Sequence, residues 1–289
     1  MLSSMTGFGR AEGVVGGRKV TVEVRSLNSR QLDLALKLPS LLRDRDAELR
    51  SWLGDRVVRG KCELHIGWEE LNTEKRPTFD LDLVRVHHAE LKAIADELGS
   101  SERTDLLGHV LRLPDVLVVP RAEVAPEEWE GVRNLAEEAL ERFEAFRSDE
   151  GRRLAEELAM RNANILGLLD EMEERDGGRL PRTRQRLQDK LEELRTTVDP
   201  DRLEQELVFY LEKFDITEEK MRLRTHCGYF SETLAAPGQQ GRKLGFIGQE
   251  MGREINTLGS KANDAAIQRL VVDMKDELEK IKEQVLNVL

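Results

Sequence analysis

The spacing of apolar residues changes once along this chain, and that change limits the fold more than any other feature. Up to about residue 70 the apolar positions recur every second residue. From about residue 81 they recur at helical spacing. Residues 19–25 (KVTVEVR) and 32–38 (LDLALKL) alternate, and residues 62–68 are apolar at even positions, as half-buried strands are. Gly16-Gly17 is a turn signal, with Val14-Val15 before it as part of a partner strand. Pro39-Ser40 closes the second alternating run and opens a helix over about 41–57, with Ser40 as its N-cap. Helices are then predicted over 81–98, closed by Gly99, and from Thr104 toward Pro114. A long one covers 126–176, with Pro126 in its first turn and Gly177-Gly178 at its end. Others follow at about 180–196, 200–213, 216–235, 242–257 and from 262 onward. The pattern predicts an α+β fold. Residues 1–125 form a mixed α/β N-terminal domain with antiparallel strands, 126–200 a long helical connector, and 201–289 an all-helical C-terminal domain. A length of 289 residues agrees with about two domains and needs no disulfide or metal to complete a core.

Charge is segregated. The whole chain carries 45 Lys+Arg against 56 Asp+Glu, a net −11. Residues 1–62 hold 12 basic against 7 acidic residues, and 213–261 hold 8 against 6. Residues 123–176 hold 7 against 17. An acidic middle therefore separates two basic ends. That is either a solvated helix face or the footprint of an anionic partner met by the ends alone. No stretch of 18 apolar residues is present and the first residues lack a signal-peptide pattern, so a cytoplasmic protein with no membrane contact is expected. Cys62 and Cys227 are far apart and form no zinc spacing. No GxSxG, P-loop, GxGxxG after a strand or HExxH occurs, which leaves no argument for those hydrolase or nucleotide-binding classes.

Near the end, Ile267, Val271, Met274, Leu278, Ile281, Val285 and Val288 step alternately by 4 and 3, a heptad seam. Such a seam packs a helix into a bundle or forms a subunit interface. With the apolar end of the chain, it points to some contribution to a homo-oligomer.

The most unusual stretch is residues 241–261, GRKLGFIGQEMGREINTLGSK. Gly245, Gly248, Gly252 and Gly259 share one helical face, and each costs roughly 1 kcal/mol against alanine. Close helix approach is the leading explanation and close approach of a ligand the other. Glu250 and Glu254 stand one turn apart and could share a hard divalent cation, or could be solvated beside Arg253. In the preceding helix, Asp215 is placed to cap, with Glu218 at capping-box spacing. Glu219, Arg222 and His226 follow at steps of 3 and 4. His226 is the histidine with such polar neighbours. It is either structural or a general acid–base, a role imidazole suits.

The order of these motifs resembles the YicC/YloC family of bacterial endoribonucleases. The resemblance is carried by the opening MLSSMTGFGR, by Val24-Arg25-Ser26-Leu27-Asn28-Ser29-Arg30 and by Arg59-Gly60-Lys61. It continues through Asp215-Ile216-Thr217-Glu218-Glu219 with Arg222 and His226. Gly241-Arg242-Lys243-Leu244, Gln249-Glu250, Arg253-Glu254 and Ser260-Lys261 complete it. Many relatives have Asp where this chain has Gly245 and Asn where it has Gly252.

The resemblance implies internal cleavage of single-stranded RNA, small regulatory RNA included, with a divalent cation (Mn²⁺ or Mg²⁺) and a homohexameric assembly. On that reading Glu250 and Glu254, with Glu219 or Asp215, hold the metal. His226 is the alternative centre, taking the proton of the 2′-hydroxyl, and Arg253 stabilises the reacting phosphate. Arg25, Arg30, Arg59, Lys61, Arg222, Arg242, Lys243 and Lys261 contact RNA phosphates. Only 4% of the residues are aromatic, so recognition led by the backbone rather than by the bases is expected. Other RNA-decay enzymes are potential partners. The contrasting reading is a non-catalytic RNA-binding scaffold that delivers RNA to another nuclease.

Overall fold

The computed structural model describes residues 2–29, 31–70, 78–99, 105–114, 116–118, 124–193, 204–205, 208–209, 212–262 and 264–289. Strands β1 (Gly7–Val15) and β2 (Arg18–Leu27) form a hairpin. Its turn is Gly16-Gly17, with φ of +56° and +77°, values that favour glycine and match the twist of a tight hairpin. β4 (Gly60–Glu70) pairs antiparallel with β2, and β3 (Leu32–Lys37) takes the far edge, giving the order β1-β2-β4-β3.

The sheet differs from the expected antiparallel one at β3, which runs parallel to β4. The cause is the connection. A 3-10 turn (Ser40–Arg45) and helix α1 (Asp46–Arg56) carry the chain back over the sheet, and a parallel neighbour needs a crossover of that kind. Ser40 does not cap. The backbone enters through Pro39 as a 3-10 turn with no side-chain cap.

Helix α2 (Leu81–Glu97) ends at Gly99, whose φ of +65° fits a helix stop. Helix α3 (Leu106–Val110) is capped by Asp105; Thr104 lies outside the described residues. With the short pair β5 (Thr78–Phe79) and β6 (Leu117–Val118), these helices bury a small cluster around Val84, Val110 and Val116.

Helix α4 (Pro126–Asp176) serves two cores. Its first half packs Val132, Ala136, Leu140 and Phe143 on the buried face of the sheet. Its second half packs Leu158, Ile165, Leu169 and Met172 among the C-terminal helices. After α5 (Arg179–Glu193) come α6 (Thr217–Ala235), α7 (Gly241–Lys261) and α8 (Ala265–Val285). The helix expected over 200–213 falls mostly outside the described residues.

The heptad seam is used inside the chain. Every residue from Ile267 to Val288 on it is buried in the core shared by α4, α6 and α7. The seam is therefore not free to serve as the subunit interface that its spacing suggested. Among the described residues no helix is long and apolar enough to cross a membrane.

Candidate functional site

Motifs that are far apart in sequence meet around residues 286–289. Met5 N donates to Asn287 O at 2.8 Å, and Leu289 N donates to Ser3 O at 2.9 Å. Ser26 Oγ donates to Met5 O at 2.7 Å, and Asn28 Nδ2 donates to Leu286 O at 2.6 Å. The amides of Gln240 and Gly241 both donate to Leu289 O at 3.1 Å, which satisfies the start of α7. A Cβ on Gly241 would overlap the Val288 carbonyl oxygen, so this close approach requires glycine. Arg59 Nε donates to Ser29 O at 3.0 Å. Gly60 beside it has a φ of +114°. The opening segment, the end of β2 with Asn28 and Ser29, the start of β4 at 59–61 and the 241–243 helix start thus form one stitched region.

The expected RNA-contacting residues separate into free and engaged cations. Arg242, Lys243, Arg25 and Lys61 are exposed. Arg25 also reaches Glu23 at 2.6 Å. Arg59 is half-buried and holds the loop carbonyl. Arg222 pairs with Glu218 on its own helix, and Glu218 completes no capping box, because the Asp215 amide donates to Glu212 O and the N-cap position is Ile216. Arg30 lies outside the described residues. Arg242 and Lys243 make no ion pair among the described residues and lie against rings instead. Lys243 Nζ is 4.5 Å from the centre of Tyr229, and the Arg242 guanidinium is 5.6 Å from that of Phe246. As first-turn cations they oppose the helix dipole, so helix electrostatics do not explain them. Sequence reasoning misses Tyr229, Phe246 and Phe8. A signal existed for Phe246, which falls one turn after Arg242 and Lys243 on the polar stripe of its helix.

The four carboxylates expected to share a metal do not gather. Among the described residues no group of three His, Cys, Asp or Glu side chains could hold an ion. Glu250 pairs with Arg253 at 2.6 Å, and Glu254 is half-buried one turn on. Glu219 turns inward and meets Lys261 at 2.7 Å, tying α6 to α7. Its Oε2 is buried with no hydrogen-bond partner. Asp215 accepts from the Thr217 hydroxyl and amide, and these bonds hold its carboxyl below the usual range. One chain's carboxylates therefore do not by themselves fit a resident divalent cation. The thiols offer no nucleophile. Burial pushes Cys62 up to about 11 and Cys227 up to about 12.

His226 is placed differently. It is half-buried and lines a groove of about 310 Å³ with Glu218, Met221, Arg222 and Thr225. Arg222 lies one turn before it on α6. An imidazole beside a guanidinium in an open groove can accept a proton while the cation faces a phosphate.

The glycine face of α7 behaves in two ways. A Cβ on Gly259 would come within 3.0 Å of Val271 Cγ1, and one on Gly252 within 3.2 Å of Leu278 Cδ2. These two are packing glycines. At Gly245 the nearest atom is Val285 Cγ1 at 3.8 Å, and at Gly248 nothing lies within 4 Å. The two helices therefore part around Gly245 and Gly248, between the close contacts at Gly241 and Gly252, and leave a groove of about 440 Å³ between Leu244, Gly248, Ile281 and Val285. Close packing accounts for half of the face. Gly248→Ala is expected to stabilise the protein by about 0.5–1 kcal/mol, read as a higher urea midpoint at unchanged m-value. An unchanged or lower midpoint would mean that the groove is filled in solution.

Residues 2–156 match the family model described as "Endoribonuclease YicC-like, N-terminal region". Residues 172–289 match "Endoribonuclease YicC-like, C-terminal". The chain is 33% identical over 293 residues to the "Probable endoribonuclease YicC" of Clostridioides difficile (strain 630), with the whole of both chains covered. It is 30% identical over 292 residues to the protein of the same name from Haemophilus influenzae (strain ATCC 51907 / DSM 11121 / KW20 / Rd), again over the whole of both.

Proposed function

Because the chain belongs to the YicC-like endoribonuclease family, we propose that it cuts RNA internally. The observation that carries this reading is the similarity over the full length to relatives bearing that name. The stitched region supports it, because the start of α7, which carries Arg242 and Lys243, and the end of β2 with Asn28 are both tied to residues 286–289. Cations so placed bind phosphates without sequence choice.

In this proposal the reaction is centred on the groove of α6. His226 takes the proton of a 2′-hydroxyl, and O2′ attacks the adjacent phosphorus. The P–O5′ bond breaks, and the departing 5′-oxygen is protonated by water. The products are a 2′,3′-cyclic phosphate and a 5′-hydroxyl. Arg222 faces the charge that develops on the phosphate oxygens. Arg242, Lys243, Arg25 and Lys61 hold flanking phosphates, while Lys261 is committed to Glu219.

A second reading rests on the buried, unpartnered Glu219 Oε2. There a divalent cation, Mn²⁺ or Mg²⁺, takes part with Glu219, Glu250, Glu254 or Asp215, together with donors beyond these four. We further propose a substrate of single-stranded RNA, small regulatory RNA included. The protein would act as a homo-oligomer, a hexamer by family resemblance, in the cytoplasm beside other RNA-decay enzymes.

An end-labelled unstructured RNA incubated with Mn²⁺, with Mg²⁺ or with EDTA separates these readings on a denaturing gel. Cuts that persist in EDTA and in Glu250→Gln, Glu254→Gln, but stop at a 2′-deoxy position, support the His226 route. Cuts lost in EDTA and retained at a 2′-deoxy position support the metal reading. An RNA that is bound but never cut would make the protein a delivery scaffold.

A further inference from the structure

We propose that Tyr229 and Phe246, with Phe8 as a third site, are base-stacking platforms that make this protein select unpaired nucleotides. This rests on the RNA-acting reading above and adds the residues that read the substrate.

Six cation–ring pairs occur among the described residues. In three of them the ring is buried or half-buried: Trp68, Trp129 and Phe143. In the other three the ring is exposed, at 42% for Phe8, 44% for Tyr229 and 54% for Phe246. Their cations are Arg25, Lys243 and Arg242. Every exposed ring of this kind therefore carries a cation that the phosphate-binding reading already uses.

Hydrophobic burial within the chain does not explain these rings, because each leaves much of its surface in water. At Tyr229 and Phe246 the cation makes no ion pair among the described residues, whereas Arg25 on Phe8 also meets Glu23. A ring with a free cation on it suits a ligand that is flat on one side and anionic on the other, which describes a nucleotide. Two of the rings are contiguous. Lys243 lies on Tyr229 of α6, and Phe246 follows Lys243 by three residues on α7. The exposed stripe of α7 then continues through Gln249, Arg253 and Asn256. Tyr229 is three residues from His226, a helical rise of about 4.5 Å. A base stacked on Tyr229 would therefore lie about one nucleotide from the His226 groove, and the cut would fall in unpaired RNA. A base in a duplex has its faces covered by its neighbours and cannot use the ring.

The test measures binding of the full-length protein in EDTA at ~0.1 M salt. Three probes of equal length are used: an unstructured RNA, the same RNA as a duplex, and a ribose-phosphate oligomer without bases. Tyr229→Ala and Phe246→Ala are each expected to weaken binding of the unstructured RNA by about 5- to 150-fold. Binding of the base-free oligomer should be unmoved. Tyr229→Phe, which keeps the ring face, should recover most of what Tyr229→Ala loses. The exposure of both rings spares the fold, which circular dichroism checks. Equal affinity of the alanine variants for RNA would overturn the proposal, as would an equal loss on the base-free oligomer. A change in sedimentation mass without a change in RNA binding would also overturn it and assign the rings to contact between copies. If the wild-type protein binds no RNA, this proposal and the nuclease reading both fall. If ring-dependent binding is seen without cleavage, the stacking assignment stands and the nuclease reading fails alone.

Discussion

His226→Ala is expected to slow RNA cleavage by about 10²- to 10⁴-fold, the usual contribution of a positioned general base. The variant should still bind RNA, because the flanking cations and rings are untouched. His226 is half-buried at the rim of a groove, so its removal leaves no large cavity and the folded state should persist. The measurement is single-turnover cleavage of an unstructured RNA at saturating protein, with circular dichroism as the folding control. Single-turnover conditions isolate chemistry from product release. A loss below about fivefold would remove His226 from the reacting centre. Attention would then return to Glu219 and its unpartnered oxygen.

Gly9→Ala should destabilise the protein by about 3 kcal/mol, the upper end of overpacking costs. The reason is the crossing of β1 over α4. Gly7, Gly9 and Gly13 occupy alternate positions on the strand, which is the face turned to the helix. A Cβ on Gly9 would overlap the Ala139 carbonyl oxygen and come within 2.5 Å of Phe143 N. Both obstacles are backbone, so no rotamer change relieves them. The strand must lift from the helix, opening the core around Val22, Val24, Leu140 and Phe143. Urea unfolding at unchanged m-value reads the loss. Ala11, fully buried on the same face, shows that a methyl is accepted two residues further on. A wild-type midpoint for Gly9→Ala would mean that the strand and helix are less closely apposed in solution.

The opening motif therefore has a structural purpose that precedes any functional one. Ser4 donates to Arg147 O and accepts from Arg147 Nε, and Thr6 donates to Glu150 at 2.7 Å. Arg147 is buried and its pKa is lowered by desolvation. The segment clamps the middle of α4, where the two cores meet.

Periodicity foretold the strands around Val22 and Leu64 and the seam on α8, and Pro126 with Gly177-Gly178 bounded the helix over 126–176. The strands and the seam follow from where a strand or a helix must direct successive side chains. The same reasoning failed at β3. Strand direction depends on the crossover through α1, not on the alternation of Leu32, Leu34 and Leu36. It also treated four glycines as one face, with close helix approach as its leading explanation. A local gap between α7 and α8 at Gly245 and Gly248 divides them, and helix separation has no trace in a glycine's identity.

The candidate site was legible as a set of residue types and hidden as an arrangement. Glu219, Arg222 and His226 share steps of 3 and 4, yet Glu219 points to Lys261 while Arg222 and His226 line the groove. A helix face broad enough to hold all three is split by its neighbours. Sequence by itself determined the long helices and the alternating strands, the two basic ends and the polar stripe of α7, because these are local properties of spacing and charge. Only the tertiary structure decided that Asn28, Met5 and Gly241 meet at residues 286–289. Those contacts are made to backbone atoms, which every residue carries, so no side-chain pattern announces them.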